Sequence, residues 1–341
     1  MNLQKRHLLL AALAWILVFS GCRRDDPART GTGVPPGTPG APGAPGTAGE
    51  AAVDAGGGDL YWKVIQDGAG EYLSDREGNR IPLKTYRRII VISPGAVETL
   101  YLIGGEGAVA AVSSGRDPIW PEEKTKLLPT IGNVARPNLE AAVALEPDLV
   151  IGNAMSAAFI AELSGRAYPA LIHGADSIAD IFNSTILLGR LTGREAEAQK
   201  LVAEKQTQLE TLAAELRDRP LNLKGAFLYS ANPIMAFTEK SLAGEILTIL
   251  GVDNIAAGFN AAQPILSSEY ILARDPDFLF GAMMITEPSD ILAADSVIAK
   301  TRAGRENNLA VIPSSLFLRP SPRIVESLLE LQKKIKKYAE D

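Results

Sequence analysis

From residue 88 onward, short unbroken apolar runs alternate with segments whose apolar positions recur every three or four residues. Arg88-Ile89-Ile90-Val91-Ile92-Ser93 is too continuous for a half-exposed strand; it predicts a strand buried on both faces and closed by Ser93-Pro94-Gly95. Glu98 to Ile103 carries a helical period and stops at Gly104-Gly105. Val109 to Val112 predicts a second strand. Asn138 to Leu145 predicts a short helix with Asn138 as N-cap, and Leu149-Val150-Ile151 the strand after it. The same alternation returns after residue 222. A strand is predicted at Gly225 to Tyr229, a helix at Leu242 to Leu250 ended by Gly251, a helix at Glu269 to Ala273 and a strand at Phe278 to Phe280. Strands that alternate with helices in this way predict parallel sheets covered by helices.

The chain also repeats itself. Asn138 to Gly152 aligns without gaps on Ser267 to Gly281, 129 residues later, and Glu140 falls on Glu269. Glu98 to Gly104 echoes Glu245 to Gly251 at an offset of 147, so the first half carries a longer insertion between the two echoes. Two echoes in one order imply two related lobes. Between them, Ser177 and Asp180 offer a capping-box start and Gly193 a break. From Arg194 to Arg217, residues Ala198, Leu201, Val202, Leu209, Leu212, Ala213 and Leu216 keep one helical face. A helix of about 23 residues spans ~35 Å. The expected architecture is α/β: two Rossmann-like lobes with parallel sheets, residues 59–176 and 218–341, the second including a C-terminal helix. One long helix within 177–217 joins them, with a ligand cleft between the lobes.

The N-terminus is organised differently. Lys5, Arg6 and His7 precede an apolar run from Leu8 to Phe19, the size of a secretory core and short for a membrane span. Phe19-Ser20-Gly21-Cys22 resembles a bacterial lipobox, although Phe19 stands where Leu is usual. The resemblance implies a signal peptide over residues 1–21 and a lipidated Cys22; an ordinary signal peptide that happens to carry a cysteine is the alternative. Within the expected anchor and tether, residues 22–58, positions 27 to 58 are dominated by Pro, Gly, Ala and Thr, with Gly at every third place from Gly37 to Gly49. So few triplets do not make a triple helix, and such a segment buries too little apolar surface to offset its ordering entropy. It reads as a disordered tether of ~30–35 Å typical reach.

Composition narrows the chemistry. The 341 residues carry a net charge of −6, which gives nucleic-acid binding no electrostatic support. Cys22 is the single cysteine, and His7 and His173 are the two histidines. No intramolecular disulfide or cysteine metal cage can form, and histidine-dependent triads or zinc sites are hard to build. Gly105-Glu106-Gly107 imitates a dinucleotide fingerprint but follows a helix and enters a strand, the reverse of the required order. No catalytic residue is assigned, and the chain is not expected to be an enzyme.

The strand and turn Arg88 to Glu98 resemble the opening of the helical-backbone class of ABC-transporter substrate-binding proteins, the receptors for ferric siderophores, haem and cobalamin. Ile131-Gly132, Pro137 to Val150 and Arg319-Pro320-Ser321-Pro322-Arg323 match the same family, so the likeness covers roughly residues 76 to 338. It implies an exported, monomeric protein that captures an iron or cobalt chelate and presents it to an ABC importer permease with its ATPase. The protein would be lipid-anchored on the outer face of the cell membrane or in the periplasm, with no resident cofactor or metal. It also implies that Glu140 and Glu269 dock one lobe each on the permease; by position alone each carboxylate equally serves its own helix N-terminus. A surface lipoprotein that uses the fold for adhesion or sensing is the alternative function.

Ligand residues are expected on loops at the carboxyl ends of the strands. Ser93, at a helix start, and Arg116 offer anion contacts or else a turn and a solvated charge; Trp120 offers a stacking face or core packing. Tyr229, Asn232 and Met235 are expected on the opposite wall. Met283 and Met284 are expected to fill core, with a soft apolar ligand surface as the alternative, and Arg319 and Arg323 to cap or pair at the surface. His173 is expected to be a hydrogen-bonded structural residue, with haem ligation as the alternative.

Overall fold

The strand Ile89–Val91 (β4) is buried at all three positions and pairs in parallel with Val109–Ser114 (β5) on one side and Leu149–Gly152 (β8) on the other. This computed structural model describes Ala51–Ala52 and residues 60–340, so the expected signal peptide, Cys22 and nearly all of the tether lie outside the described residues. From Leu60 onward the chain is one compact unit.

That unit opens with an antiparallel meander: Trp62–Asp67 (β1), Gly70–Asp75 (β2) and Arg80–Pro82 (β3). Trp62, Leu73 and Ile81 face inward, and the Trp62 indole donates to the Ile172 carbonyl at 2.7 Å. The parallel sheet of the first lobe is completed by Thr130–Asn133 (β6), Arg136–Pro137 (β7) and Ala170–Ile172 (β9), in the order β9-β8-β4-β5-β6-β7. Only the β6–β7 pair is antiparallel. The helices of this lobe are Pro94–Leu102 (α1), Glu122–Thr125 (α2), Leu139–Ala144 (α3) and Ala157–Gly165 (α4). Helix α1 begins four residues before the periodic segment because Pro94 tolerates the first turn, where its missing N–H has no partner to lose.

Two helices follow, Ile178–Thr192 (α5) and Glu195–Asp218 (α6), joined at Gly193 in the left-handed region (φ 69°). Ile178, Ile181 and Phe182 lie in the core of the second lobe, whereas Leu187, Leu188, Leu191 and Ala198 lie in that of the first. Val202 and Leu212 return to the second. The long helix is therefore present, and α5 shares the crossing with it.

The second lobe holds Lys224–Ala231 (β10), Ile234–Ala236 (β11), Asp253–Asn254 (β12), Phe278–Gly281 (β13) and Leu309–Val311 (β14), ordered β11-β10-β13-β14 with β12 on β10. All pairs are parallel except β10–β11. Phe227, Phe278 and Phe280 face one apolar layer, and Ala226, Leu228 and Leu279 the other. Burial on both faces explains the continuous apolar runs. Helices Leu242–Ile249 (α7), Ser268–Arg274 (α8), Pro288–Ala294 (α9), Arg302–Arg305 (α10), Ser314–Phe317 (α11) and Ile324–Glu340 (α12) complete the lobe.

Candidate ligand cleft

The loops after β5, β13 and β14 meet between the lobes. Arg116 and Asp117 of the first lobe face Met283, Ile285, Thr286 and Val311 to Ser315 of the second across a cavity of about 290 Å³. The position follows from topology: parallel strands leave their carboxyl-end loops free, and two such sheets present those loops to each other. A hollow of about 390 Å³ lies between β3 and Ser164–Ala170, at the amino end of β9 and within one lobe. Of these two, the inter-lobe cavity is the candidate ligand site, because it draws loops from both lobes.

Arg116 lies in the cavity wall with its side chain 81% exposed, and its Nε is 3.5 Å from Asp117. Trp120 ends the same loop; one face of its ring carries the Arg323 guanidinium 4.8 Å from the centroid. Tyr229 is half-buried, edge-on to Phe237, and its carbonyl accepts the Met284 N–H at 3.2 Å. Asn232 is exposed at the β10–β11 turn, and Met235 is half-buried opposite exposed Ile265.

Two expectations are corrected here. Ser93 does not face the cleft: it is 1% exposed, and its Oγ lies 3.0 Å from His173 Nδ1. Its hydroxyl makes no cap on α1. Met283 and Met284 do not fill core; both are exposed and Met283 lines the cavity. The loop is held by its backbone instead. Met283 sits at φ 57°, its N–H donates to Ser314 Oγ at 3.1 Å, and Ala282 N–H donates to the Leu228 carbonyl at 2.9 Å. With the backbone so committed, the thioethers turn outward.

His173 is buried among Ser93, Ser184 and the edge of Trp62. Burial pushes its pKa down to about 4, so the ring is neutral at ordinary pH. It is a structural residue of the first core, and its ring does not reach the cleft. Arg319 and Arg323 also depart from expectation. They neither cap a helix nor pair at the surface: both reach into the first lobe, to the two oxygens of Glu98, which is 1% exposed.

Glu140 and Glu269 are both exposed and hold the second place of α3 and α8. Their N-caps, Asn138 and Ser267, accept from the amides of Ala141 and Tyr270. Among the described residues neither glutamate makes an ion pair. The offset of 129 holds for N-cap, helix start and following strand alike.

The sequence matches the family model of periplasmic binding proteins over residues 89–316. It is 26% identical over 252 residues to a cobalamin-binding protein of Halobacterium salinarum, covering 72% of this chain and 68% of that one. It is 26% identical over 224 residues to the Fe(3+) dicitrate-binding periplasmic protein of Escherichia coli, covering 64% and 74%. The fold superposes on a periplasmic heme-binding protein of Roseiflexus sp. RS-1 with a TM-score of 0.65 at 22% identity, covering 74% of this chain and 99% of that one. No helix among the described residues is long and apolar enough to cross a membrane.

Proposed function

The chain belongs to the periplasmic binding protein family, whose members bind solutes for ABC importers and are not enzymes; from that premise we propose that it captures a metal chelate outside the cytoplasm. It hands the chelate to an importer permease while anchored to the membrane through lipidated Cys22. The observation that carries this reading is the cavity between the lobes, walled by Arg116 and Asp117 on one side and Met283, Ile285 and Thr286 on the other. A two-sided cleft suits capture without catalysis: each wall contributes contacts, and separation of the walls releases the ligand. Glu140 and Glu269, one per lobe and unpaired among the described residues, suit docking on a permease that offers matching cations.

The chemistry of the walls bears on the ligand. Arg116 is the one basic residue of the cavity lining, and Asp117 stands beside it. A polyanionic ferric chelate would find little net positive charge there. A corrinoid, largely uncharged and broad-faced, suits the Met283 thioether and the apolar Ile285, Val311 and Ile312 of the lining better. The test is a tryptophan-fluorescence titration of the full chain with cyanocobalamin, ferric dicitrate and haemin. Saturable micromolar binding of cyanocobalamin supports the corrinoid reading; preference for ferric dicitrate or haemin overturns the ligand choice; a folded protein that binds none overturns the function.

A further inference from the structure

The segment that follows the cleft wall in the second lobe runs on into the first. Val311 to Ser315 line the cavity, and Arg319 to Arg323 lie a few residues further along the same stretch. Arg319 Nη1 donates to Glu98 Oε1 at 2.9 Å and to the Pro118 carbonyl at 2.7 Å, and its Nη2 donates to the Asp117 carbonyl at 3.2 Å. Arg323 Nη1 is 3.3 Å from Glu98 Oε2, and its guanidinium covers Trp120. Both oxygens of one buried carboxylate are thus taken by the opposite lobe, and one guanidinium grips the backbone of the loop that carries Arg116.

We propose that Arg319 is a positioning residue for the ligand cleft: held by Glu98, it fixes the 115–120 loop, and with it Arg116, at a set distance from the Met283 wall. The geometry favours this over simple surface pairing for three reasons. The Arg319 side chain is 13% exposed and Glu98 1%, so the pair is shielded from screening. Two of the Arg319 bonds end on carbonyls of the cleft loop rather than on a carboxylate. The contact is also close-packed, since a Cβ on Gly95 would stand 2.6 Å from the Pro320 carbonyl oxygen.

The repeat supplies a counterpart. Glu245, 147 residues after Glu98 and on the equivalent helix α7, accepts the Ile178 N–H at 2.6 Å, at the start of the crossing helix α5. In both lobes, therefore, the glutamate of the echoed helix, buried in α1 and half-buried in α7, bonds to a segment distant along the chain.

The inference assumes a ligand cleft, but its test does not require a ligand. Hydrogen exchange is measured on the full chain for wild type, Arg319→Met, Arg319→Lys and Glu98→Gln. If Arg319 positions the loop, amides of residues 115–121 exchange at least about tenfold faster in Arg319→Met and in Glu98→Gln, while those of α3 and β13 keep wild-type rates. Arg319→Lys, which keeps the charge and loses the fork, falls between. Unchanged exchange at 115–121, or equal acceleration everywhere, overturns the proposal. If cyanocobalamin binds wild type, its affinity falls at least about tenfold in Arg319→Met, as for a lost charge-assisted contact; an unaltered affinity beside a loosened loop would also overturn it. Failure of every chelate to bind wild type leaves the exchange result to decide.

Discussion

Ser93 Oγ and His173 Nδ1 stand 3.0 Å apart inside the first core, and Ser184 Oγ lies 3.3 Å from Nε2, so both ring nitrogens meet hydroxyls and neither meets a carboxylate. With nothing to stabilise the cation, burial sets its pKa at about 4 against an ordinary 6.5. Between those values the unfolded chain binds a proton that the folded chain refuses. Stability from this residue therefore rises with pH from 4 to 6.5, by about 3 kcal/mol. Glu245 works the other way. Burial raises its carboxyl from 4.5 to about 7, helped by the facing Asp180 and opposed by the Ile178 N–H. The folded chain holds a proton that the unfolded chain releases, so this contribution is full below pH 4.5 and gone by pH 7, again about 3 kcal/mol. The two gradients oppose each other. Relative to wild type, His173→Gln should tilt the thermal midpoint downward as pH rises from 4 to 6.5, and Glu245→Gln should tilt it upward from 4.5 to 7. Calorimetric midpoints across this range check both; parallel curves for all three proteins would exclude the assignment.

Glu140 and Glu269 are predicted to act at the permease and not on the ligand. Glu140→Ala with Glu269→Ala should leave chelate affinity and thermal midpoint within error of wild type and reduce uptake in cells to background. Each single variant should retain part of the uptake. Normal uptake by the double variant would end the docking assignment. The N-caps make a contrasting pair: Asn138→Ala or Ser267→Ala should cost about 1 kcal/mol of stability by freeing one amide each.

Much of this fold could be read before any coordinates. Both lobes, their repeat and the long helix follow from periodicity, because buried parallel strands are nearly all apolar and helix ends carry Asn, Ser and Gly. The repeat placed Glu140 and Glu269 on matching helix starts. The meander of β1 to β3 went unread, although Asp67-Gly68 between two alternating runs is a hairpin signal. The cleft itself was harder. Met283 looks like a core methionine because nothing local announces its left-handed backbone or its bond to Ser314. Glu98 and Arg319 are 221 positions apart, and each in isolation resembles a surface charge. Burial of ion pairs is decided by the docking of the two lobes, which no window of sequence contains.

Met283 offers a separation of stability from binding. A left-handed non-glycine residue costs ~1–2 kcal/mol, of which the extra chain entropy of glycine returns ~0.5–1. Met283→Gly should thus lose no stability, while removal of the thioether weakens cyanocobalamin binding about tenfold, the worth of a buried side-chain contact. Arg116→Ala should likewise weaken binding without a shift in melting, since its side chain is 81% exposed. A destabilised Met283→Gly protein, or one with intact affinity, would remove Met283 from the cleft wall.

Gly95 tests whether the lobes are packed against each other or merely tethered. It lies in the first turn of α1 without a left-handed backbone, so on helix propensity alone alanine should help by up to ~1 kcal/mol. The added methyl would, however, meet the Pro320 carbonyl oxygen at 2.6 Å and its carbon at 3.0 Å, backbone atoms that cannot rotate away. Relief requires the 319–323 segment to move back, which lengthens the bonds from Arg319 and Arg323 to Glu98. Overpacking of this kind costs ~1–3 kcal/mol, more than the propensity returns. Gly107→Ala is the control: its Cβ would meet nothing within 4 Å. Gly95→Ala should lower the thermal midpoint and speed exchange at residues 115–121, as Arg319→Met does, and Gly107→Ala should do neither. A Gly95→Ala protein that melts at or above the wild-type temperature would mean that the contact is loose enough to yield, and that Arg319 alone holds the loop.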